Sequence, residues 1–330
     1  MRRQLTPGTL VLLLLVAVPL QKSKAWGGNM PPSEQDGSSH FAPVRTYAPE
    51  EFRQSALDRL SGGLTRKFPY RMATDSRGRV LVTDPDLSVV HVFDTKQQKR
   101  WAIRGDHKHR LSLPSHIALD SDDNIYVTDV GRAEVLVFEP GGRFKREIGI
   151  GLLYLPTGIS VDRQHHMLYV ADWWLGAILS FDLEGHFREA FGTLGRGTGQ
   201  LYQPSDIVLD RGTLLVLDAG NSRFEQFDLH GHVQSIRPFG ANRTPIALAV
   251  DDSGHTYYVD ADSGGLVSMD RDGKVLSRFA AQREYGQWIS RHVEPEFRCV
   301  SVDAEGNILA LRPTLQVEVV KAVPDAVEDQ

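Results

Sequence analysis

The chain has 330 residues, 41% of them hydrophobic and 24% charged, a composition that excludes a collagen-like, disordered or polytopic membrane protein. Its formal charge of −5, from 37 Lys and Arg against 42 Asp and Glu, lacks the basic excess that phosphate neutralisation requires, so no nucleic-acid partner is expected. The single cysteine, Cys299, allows neither an internal disulfide nor a thiolate cluster for zinc, and any metal would rest on His and carboxylate groups.

Arg2 and Arg3 precede an apolar run from Leu10 to Leu20. At about 1.5 Å per helical residue this run covers roughly half of a bilayer's ~30 Å hydrocarbon core, too little for a membrane anchor. Ser23 and Ala25 then supply the small residues of a cleavage site, so residues 1–25 are predicted to be a signal peptide removed after Ala25. Cleavage would remove Arg2, Arg3, Lys22 and Lys24 and no acid, leaving 33 basic against 42 acidic residues and a charge of −9. No cysteine follows the run to carry a lipid, and the mature chain is expected in the periplasm or secreted. Residues 26–50 are rich in Pro, Gly and Ser, lack an apolar period, and read as a flexible linker.

The remainder is a repeat. Asp75, Asp120, Asp162, Asp210, Asp251 and Asp303 each follow a short apolar run, at spacings of 45, 42, 48, 41 and 52 residues. A period near 45 is one supersecondary unit. Pro69, Pro114, Pro156, Pro204 and Pro245 stand six residues before the first five, and Phe297 takes that place in the sixth. A second aspartate closes a β-rich run in five copies (Asp84, Asp129, Asp172, Asp218, Asp260), with Arg312 in the sixth. A third run ends in an acid followed three residues later by Gly142, Gly185, Gly231 or Gly273, with Gln97 in the first copy. Acid first and glycine fourth suits a type I turn that finishes at positive φ. Each unit therefore reads strand, turn, strand, loop, strand, turn, strand.

Short runs bounded by turns, with no long amphipathic helix, predict an all-β protein, and six four-stranded antiparallel units match the blades of a six-bladed β-propeller. The residues quoted resemble the NHL-repeat family of six-bladed propellers, in an exported bacterial form, and the copy from Pro204 to Asp228 follows that family's pattern well. The propeller is placed at 51–323 and a C-terminal tail at 324–330. Blade 6 shows only three clear strands, so its fourth is expected from the N-terminal side, within Leu60 to Lys67.

The resemblance implies fold more than chemistry, since the family spans scaffolds, sensor domains and a few enzymes. NHL-type amidating lyases hold a catalytic metal with several axial histidines; here His116 alone takes such a position, and neither a metal nor a cofactor is expected. Topology then separates two ends. The turns after strands one and three share one end and read as structural, whereas the loops that vary in length share the other, where a rigid scaffold carries its binding residues. Trp173 and Trp174 fall there, as do Tyr285, Trp288, Arg291 and His292 in the insertion 281–295. Adjacent residues of an extended chain point to opposite sides, so one of Trp173 and Trp174 is expected to pack and the other to be available to a partner. Tyr154 and Tyr202, which recur two residues before a proline, read as packing. The glycine-rich segment 195–199 and the His107–His109 segment read as loops.

The start of each innermost strand lies near the central axis, which brings together Arg71, His116, Gly158, Asp206, Ala247 and Cys299, with Arg298 beside the last. Arg71, His116, Asp206, Arg298 and Cys299 form the axial candidate site, open to a small anion or polar ligand. The chain thus reads as an exported monomeric scaffold, more binding protein than enzyme, that takes a protein or extended polymer ligand on its loop face. The alternative is a lyase or hydrolase with an axial polar or metal site.

Overall fold

The computed structural model describes residues 41–47, 71–94, 96–239, 243–261, 263–279, 297–312 and 317–322. These residues form six four-stranded antiparallel sheets. Blade 1 comprises Met72–Thr74, Val80–Asp84, Val89–Asp94 and Lys99–Ile103; blade 2 Pro114–Leu119, Ile125–Asp129, Glu134–Phe138 and Phe144–Ile148. Blade 3 comprises Pro156–Asp162, Met167–Asp172, Ala177–Asp182 and Phe187–Phe191; blade 4 Pro204–Asp210, Thr213–Asp218, Arg223–Asp228 and Val233–Pro238; blade 5 Pro245–Val250, Thr256–Asp260, Leu266–Met269 and Val275–Phe279. Each innermost strand lies against those of both neighbouring blades, and Met72–Thr74 meets both Pro114–Leu119 and Cys299–Val302, which closes the ring. The protein is a six-bladed β-propeller.

Blade 6 is built from both ends of the repeat region. Cys299–Val302, Ile308–Leu311 and Val317–Ala322 supply three strands, and Phe41–Tyr47 pairs antiparallel with Val317–Ala322 as the outermost. The closing strand thus lies upstream of 60–67, inside the segment read as a flexible linker, and 60–67 itself falls outside the described residues. Pro43 sits at a register shift in this pairing, and an edge strand tolerates a residue that donates no N–H. A protein truncated to begin at Pro49 is therefore expected to lose its outermost strand and expose the edge of Val317–Ala322, with a lower melting temperature than one beginning at Ser38. Equal melting temperatures would exclude this closure.

The repeat residues act locally. The first aspartate accepts backbone N–H groups across its turn: Asp75 Oδ1 from Arg77 and Arg79, at 3.0 and 2.8 Å, and Asp120 Oδ1 from Asp122 and Asn124, at 2.9 and 2.8 Å. At the second turn Gly142, Gly185, Gly231 and Gly273 have φ between 83° and 101°. Blade 1, with Gln97 in place of that glycine, takes its positive φ one residue later, at Gln98 (φ 55°).

The core lies between blades. Five apolar clusters each draw on neighbouring blades, as where Ile103, Ile117, Val127 and Phe138 meet between blades 1 and 2. Threonines add bonds across the same seams: Thr83 Oγ1 donates to the Ser115 carbonyl at 2.8 Å, Thr128 Oγ1 to Thr157 at 3.0 Å, and Thr157 Oγ1 to Pro204 at 2.8 Å.

Candidate functional site

Two places gather the residues singled out by the sequence. The first is axial. Innermost strands carry a register shift just after the opening proline, between Pro114 and Ile117 in blade 2 and between Pro204 and Asp206 in blade 4. Such bulges re-aim a side chain, and His116 and Asp206 converge. Asp206 Oδ2 lies 3.5 Å from Arg71 Nε of blade 1, and Oδ1 lies 3.5 Å from His116 Nε2 of blade 2. The carboxylate also accepts the N–H of Ile207 at 2.8 Å and of Leu248 in blade 5 at 3.0 Å. Arg71 Nη2 donates to the Ile246 carbonyl. One arginine and one carboxylate thus link blades 1, 2, 4 and 5 across the axis.

This cluster is closed off from bulk solvent. Arg71, His116, Asp206, Arg298 and Cys299 are all buried, none above 8% exposed. Gly158 completes the closure, because a methyl group there would come within 2.8 Å of the Asp206 backbone. Burial, reinforced by Arg71, pushes the His116 pKa down to about 4, so the imidazole is neutral at physiological pH. Burial opposes the Asp206 charge, but His116, Arg71 and the Leu248 N–H together hold its carboxyl below the ordinary value. With His116 neutral, Arg71 is the charge that compensates Asp206. A thiol beside arginines at an open mouth would be a reactive thiolate; burial instead pushes Cys299 up to about 12, with Arg71 only partly opposing. Among the described residues no group of three or more His, Cys, Asp or Glu is placed to hold a metal.

The second place is the loop face, which in blades 2–5 the second aspartate of the repeat builds. Asp172, fully buried, accepts N–H groups from both flanking loops: Tyr154 at 2.7 Å, Leu155 at 3.1 Å, and Trp174 and Leu175 at 3.0 Å each. Asp129 receives Ser112 and Leu113 in the same way, at 2.7 and 2.9 Å, and Asp218 receives Tyr202 at 2.7 Å. In blades 2–5 the carboxylate therefore clamps the loop entering the blade to the loop between its second and third strands.

Trp174 stands 48% exposed. Trp173 is half-buried, and its N–H donates to the Leu155 carbonyl at 2.9 Å. Tyr285, Trp288, Arg291 and His292 lie outside the described residues. Tyr154, read from the sequence as packing, is 59% exposed, whereas Tyr202 is half-buried beneath Arg196, whose guanidinium sits 4.9 Å from the ring centre. Ile150, Leu152 and Leu194 join the exposed groups. Sequence reasoning missed the first two, which stand in the loop just before the buried Leu153. The 195–199 segment, read as flexible, is tied down: Asn221 Nδ2 donates to Gly195 O at 2.9 Å, Arg223 Nη2 to Gly197 O at 2.7 Å, and Gly199 N to Glu225 Oε1 at 2.7 Å. His109, read as a loop residue, stacks on Phe144 at 3.8 Å and contacts Asp106 at 3.0 Å. On the opposite, turn-lined face a shallow cleft of about 510 Å³ lies between blades 3 and 4, beside Arg163, His165 and Arg211.

No family model matches the chain. It is 28% identical over 131 residues to "Protein brain tumor" of Drosophila melanogaster, a match covering 39% of this chain and 12% of that protein. To "E3 ubiquitin-protein ligase NHLRC1" of Rattus norvegicus it is 26% identical over 216 residues, covering 58% of this chain and 53% of the ligase. The chain thus spans about half or less of the length of these relatives. Among solved structures, streptogramin B lyase matches with a TM-score of 0.58 at 12% identity, covering 77% of this chain and 93% of that one. A chain of the nidogen/laminin complex matches with a TM-score of 0.55 at 21% identity, covering 64% and 80%. At these identities the structures speak for the fold alone. Six four-stranded blades, the aspartate clamps that recur in blades 2–5, and these relatives together make the chain an NHL-type six-bladed β-propeller.

Proposed function

We propose that this protein is an exported scaffold that binds a protein partner through its loop face, chiefly over blades 2–4. One observation carries the reading. Of eight large hydrophobic side chains exposed among the described residues, six (Leu87, Ile150, Leu152, Tyr154, Trp174 and Leu194) belong to the loop face. Scattered single apolar residues are normal on a surface, whereas their concentration on one face marks an interaction site. The loops that bear Tyr154 and Trp174 are clamped by Asp172, which lowers the ordering cost of binding. The nidogen/laminin complex shows a propeller of this fold within a protein–protein assembly.

Exposed Trp174 should contribute little to folding, so Trp174→Ala is expected to cost less than about 1 kcal/mol. Trp173→Ala, which removes a half-buried ring, should cost more. Chemical crosslinking and affinity capture with the intact protein should lose its partner in the first variant at unchanged melting temperature. Full capture by Trp174→Ala would sink the loop-face reading. Export rests on Arg2, Arg3 and the run Leu10–Leu20, and predicts that the secreted or periplasmic protein begins at Trp26. An intact mass that includes residues 1–25 would refute it.

The second reading, lyase or hydrolase chemistry at the axis, draws on the convergence of Arg71, His116 and Asp206 and on the fold shared with streptogramin B lyase. A stoichiometric metal in the purified protein would favour it.

A further inference from the structure

The loop face has a chemistry finer than apolar exposure. Three of its groups share one loop, where Gly149 and Gly151 at φ 81° and 72° turn the chain. Leu153 packs inward at 3% exposure, while Ile150, Leu152 and Tyr154 stand 64%, 43% and 59% exposed. The fold therefore takes its packing from Leu153 and has no use for the other three. The patch continues to Trp174 through the shared Asp172 clamp. It continues onward to Leu194 because a methyl group on Gly176 would lie 2.8 Å from Leu194 Cα.

Charge around this patch is sorted by sign. The carboxylates of blades 2–4 that border the loops face inward: Asp129 and Asp172 onto backbone N–H groups, Glu134 and Glu147 onto Arg132, Asp218 and Glu225 onto Arg223. Among the described residues, the exposed charges on the loops of blades 1–4 are Arg104, Lys108, Arg110 and Arg196 against Asp86 and Asp106. Asp106 is moreover engaged by His109. Over the described loops of blades 1–4, a chain of net charge −5 thus presents more exposed positive than negative groups. The cations also flank the apolar centre. The Lys108 loop adjoins it on one side, joined through Arg132, which reaches Lys108 O at 3.3 Å and Glu147 Oε1 at 2.8 Å. On the other side, beyond Leu194, Arg196 lies over Tyr202.

Building on the loop-face reading, we infer that the occupant is an extended polypeptide segment with an apolar or aromatic centre flanked on both sides by acidic residues. The match follows from complementarity: apolar side chains cover Ile150, Tyr154, Trp174 and Leu194, while carboxylates meet the Arg104–Arg110 loop and Arg196. Opposite charges across an interface set register and speed association. Rigid loops with cations at two separate ends suit a ligand of fixed spacing better than a fluid lipid surface. They also suit it better than a nucleic acid, whose bases could stack on Tyr154 and Trp174 but would leave the aliphatic Ile150, Leu152 and Leu194 uncovered.

The test is selection of a random displayed peptide library on the intact protein. It is repeated on Trp174→Ser, on Arg196→Glu, and on Lys108→Glu combined with Arg110→Glu, each checked for an unchanged melting temperature. Enriched peptides should carry Asp or Glu on both sides of Leu, Phe, Trp or Tyr. Their affinity should fall by about tenfold in each charge-reversal variant, fall further in Trp174→Ser, and weaken with added salt. Enriched peptides that depend on Trp174 but lack acidic flanks, or ignore the charge reversals, would overturn the inference and leave the loop-face reading standing. Peptides indifferent to Trp174, or no enrichment, would overturn both. Binding to phosphatidylcholine–phosphatidylserine vesicles, or to single-stranded RNA, in place of any peptide would replace the polypeptide with an anionic lipid or nucleic-acid ligand.

Discussion

Asp206→Asn should lower stability by about 3–5 kcal/mol, although it changes neither size nor exposed surface, because it removes the negative charge from beside a buried guanidinium. Arg71 and Asp206 are 6% and 5% exposed and 3.5 Å apart. Removing both charges, in Arg71→Met with Asp206→Asn, should recover at least half of the loss, since the cost lies in the uncompensated ion rather than in the missing pair. Urea unfolding of the two variants decides, and a double variant as unstable as the single one would refute the account. The same cluster sets an acid limb. His116 drops from 6.5 to about 4 on folding, so between those values the unfolded chain takes up a proton that the folded chain refuses. Stability should therefore be full above about pH 6.5 and fall as pH drops towards about 4, by about 3 kcal/mol in all. Asp206, also depressed, adds a loss of the same sign at still lower pH. His116→Gln should flatten the upper part of this limb. An identical pH slope in wild type and variant would remove His116 from the cause.

Asp172→Ala is the second large effect. One fully buried carboxylate holds four backbone N–H groups from two loops, and hydrogen bonds to a charged group contribute about 1.5–3 kcal/mol each, less when neighbouring donors relax together. A loss of about 4 kcal/mol is expected, lowering the melting temperature by roughly 10 °C. Asp106→Ala, which removes an exposed loop carboxylate, should shift it by no more than a degree or two. The Asp172 variant should also unfix Tyr154 and Trp174, so hydrogen exchange at 153–155 and 173–176 should accelerate ahead of the strands. Unchanged protection in those segments would contradict the clamp.

The repeat was legible because its signals are local. An aspartate that caps its own turn and a glycine at positive φ act within five residues, so they survive in the sequence whatever the rest of the chain does. The axial group was legible for a related reason: a fixed register within each repeat puts Arg71, His116, Asp206 and Cys299 at equivalent places. Their burial was not, since it depends on Arg71 reaching the Ile246 carbonyl of blade 5 and on Gly158 letting two backbones meet. Ring closure was misplaced because strand pairing across the whole length of the chain leaves no local mark, and Pro43 disguises Phe41–Tyr47 as linker. Tyr154 was misjudged by analogy with Tyr202. The same position in two repeats meets different loops, and only the blade 4 loop supplies an arginine to cover the ring.

The composite sixth blade ties ring closure to the order of synthesis. Phe41–Tyr47 is made before any of the five complete blades, and its partner Val317–Ala322 after all of them. During synthesis the growing chain therefore carries an orphan β-segment at its head and an open arc at its tail. Every intermediate that stops short of Val317–Ala322 offers an unpaired edge to other chains. A nascent chain that has made five blades but not Cys299–Val302 and the strands after it has no closed ring, and is the species that chaperones and proteases would meet.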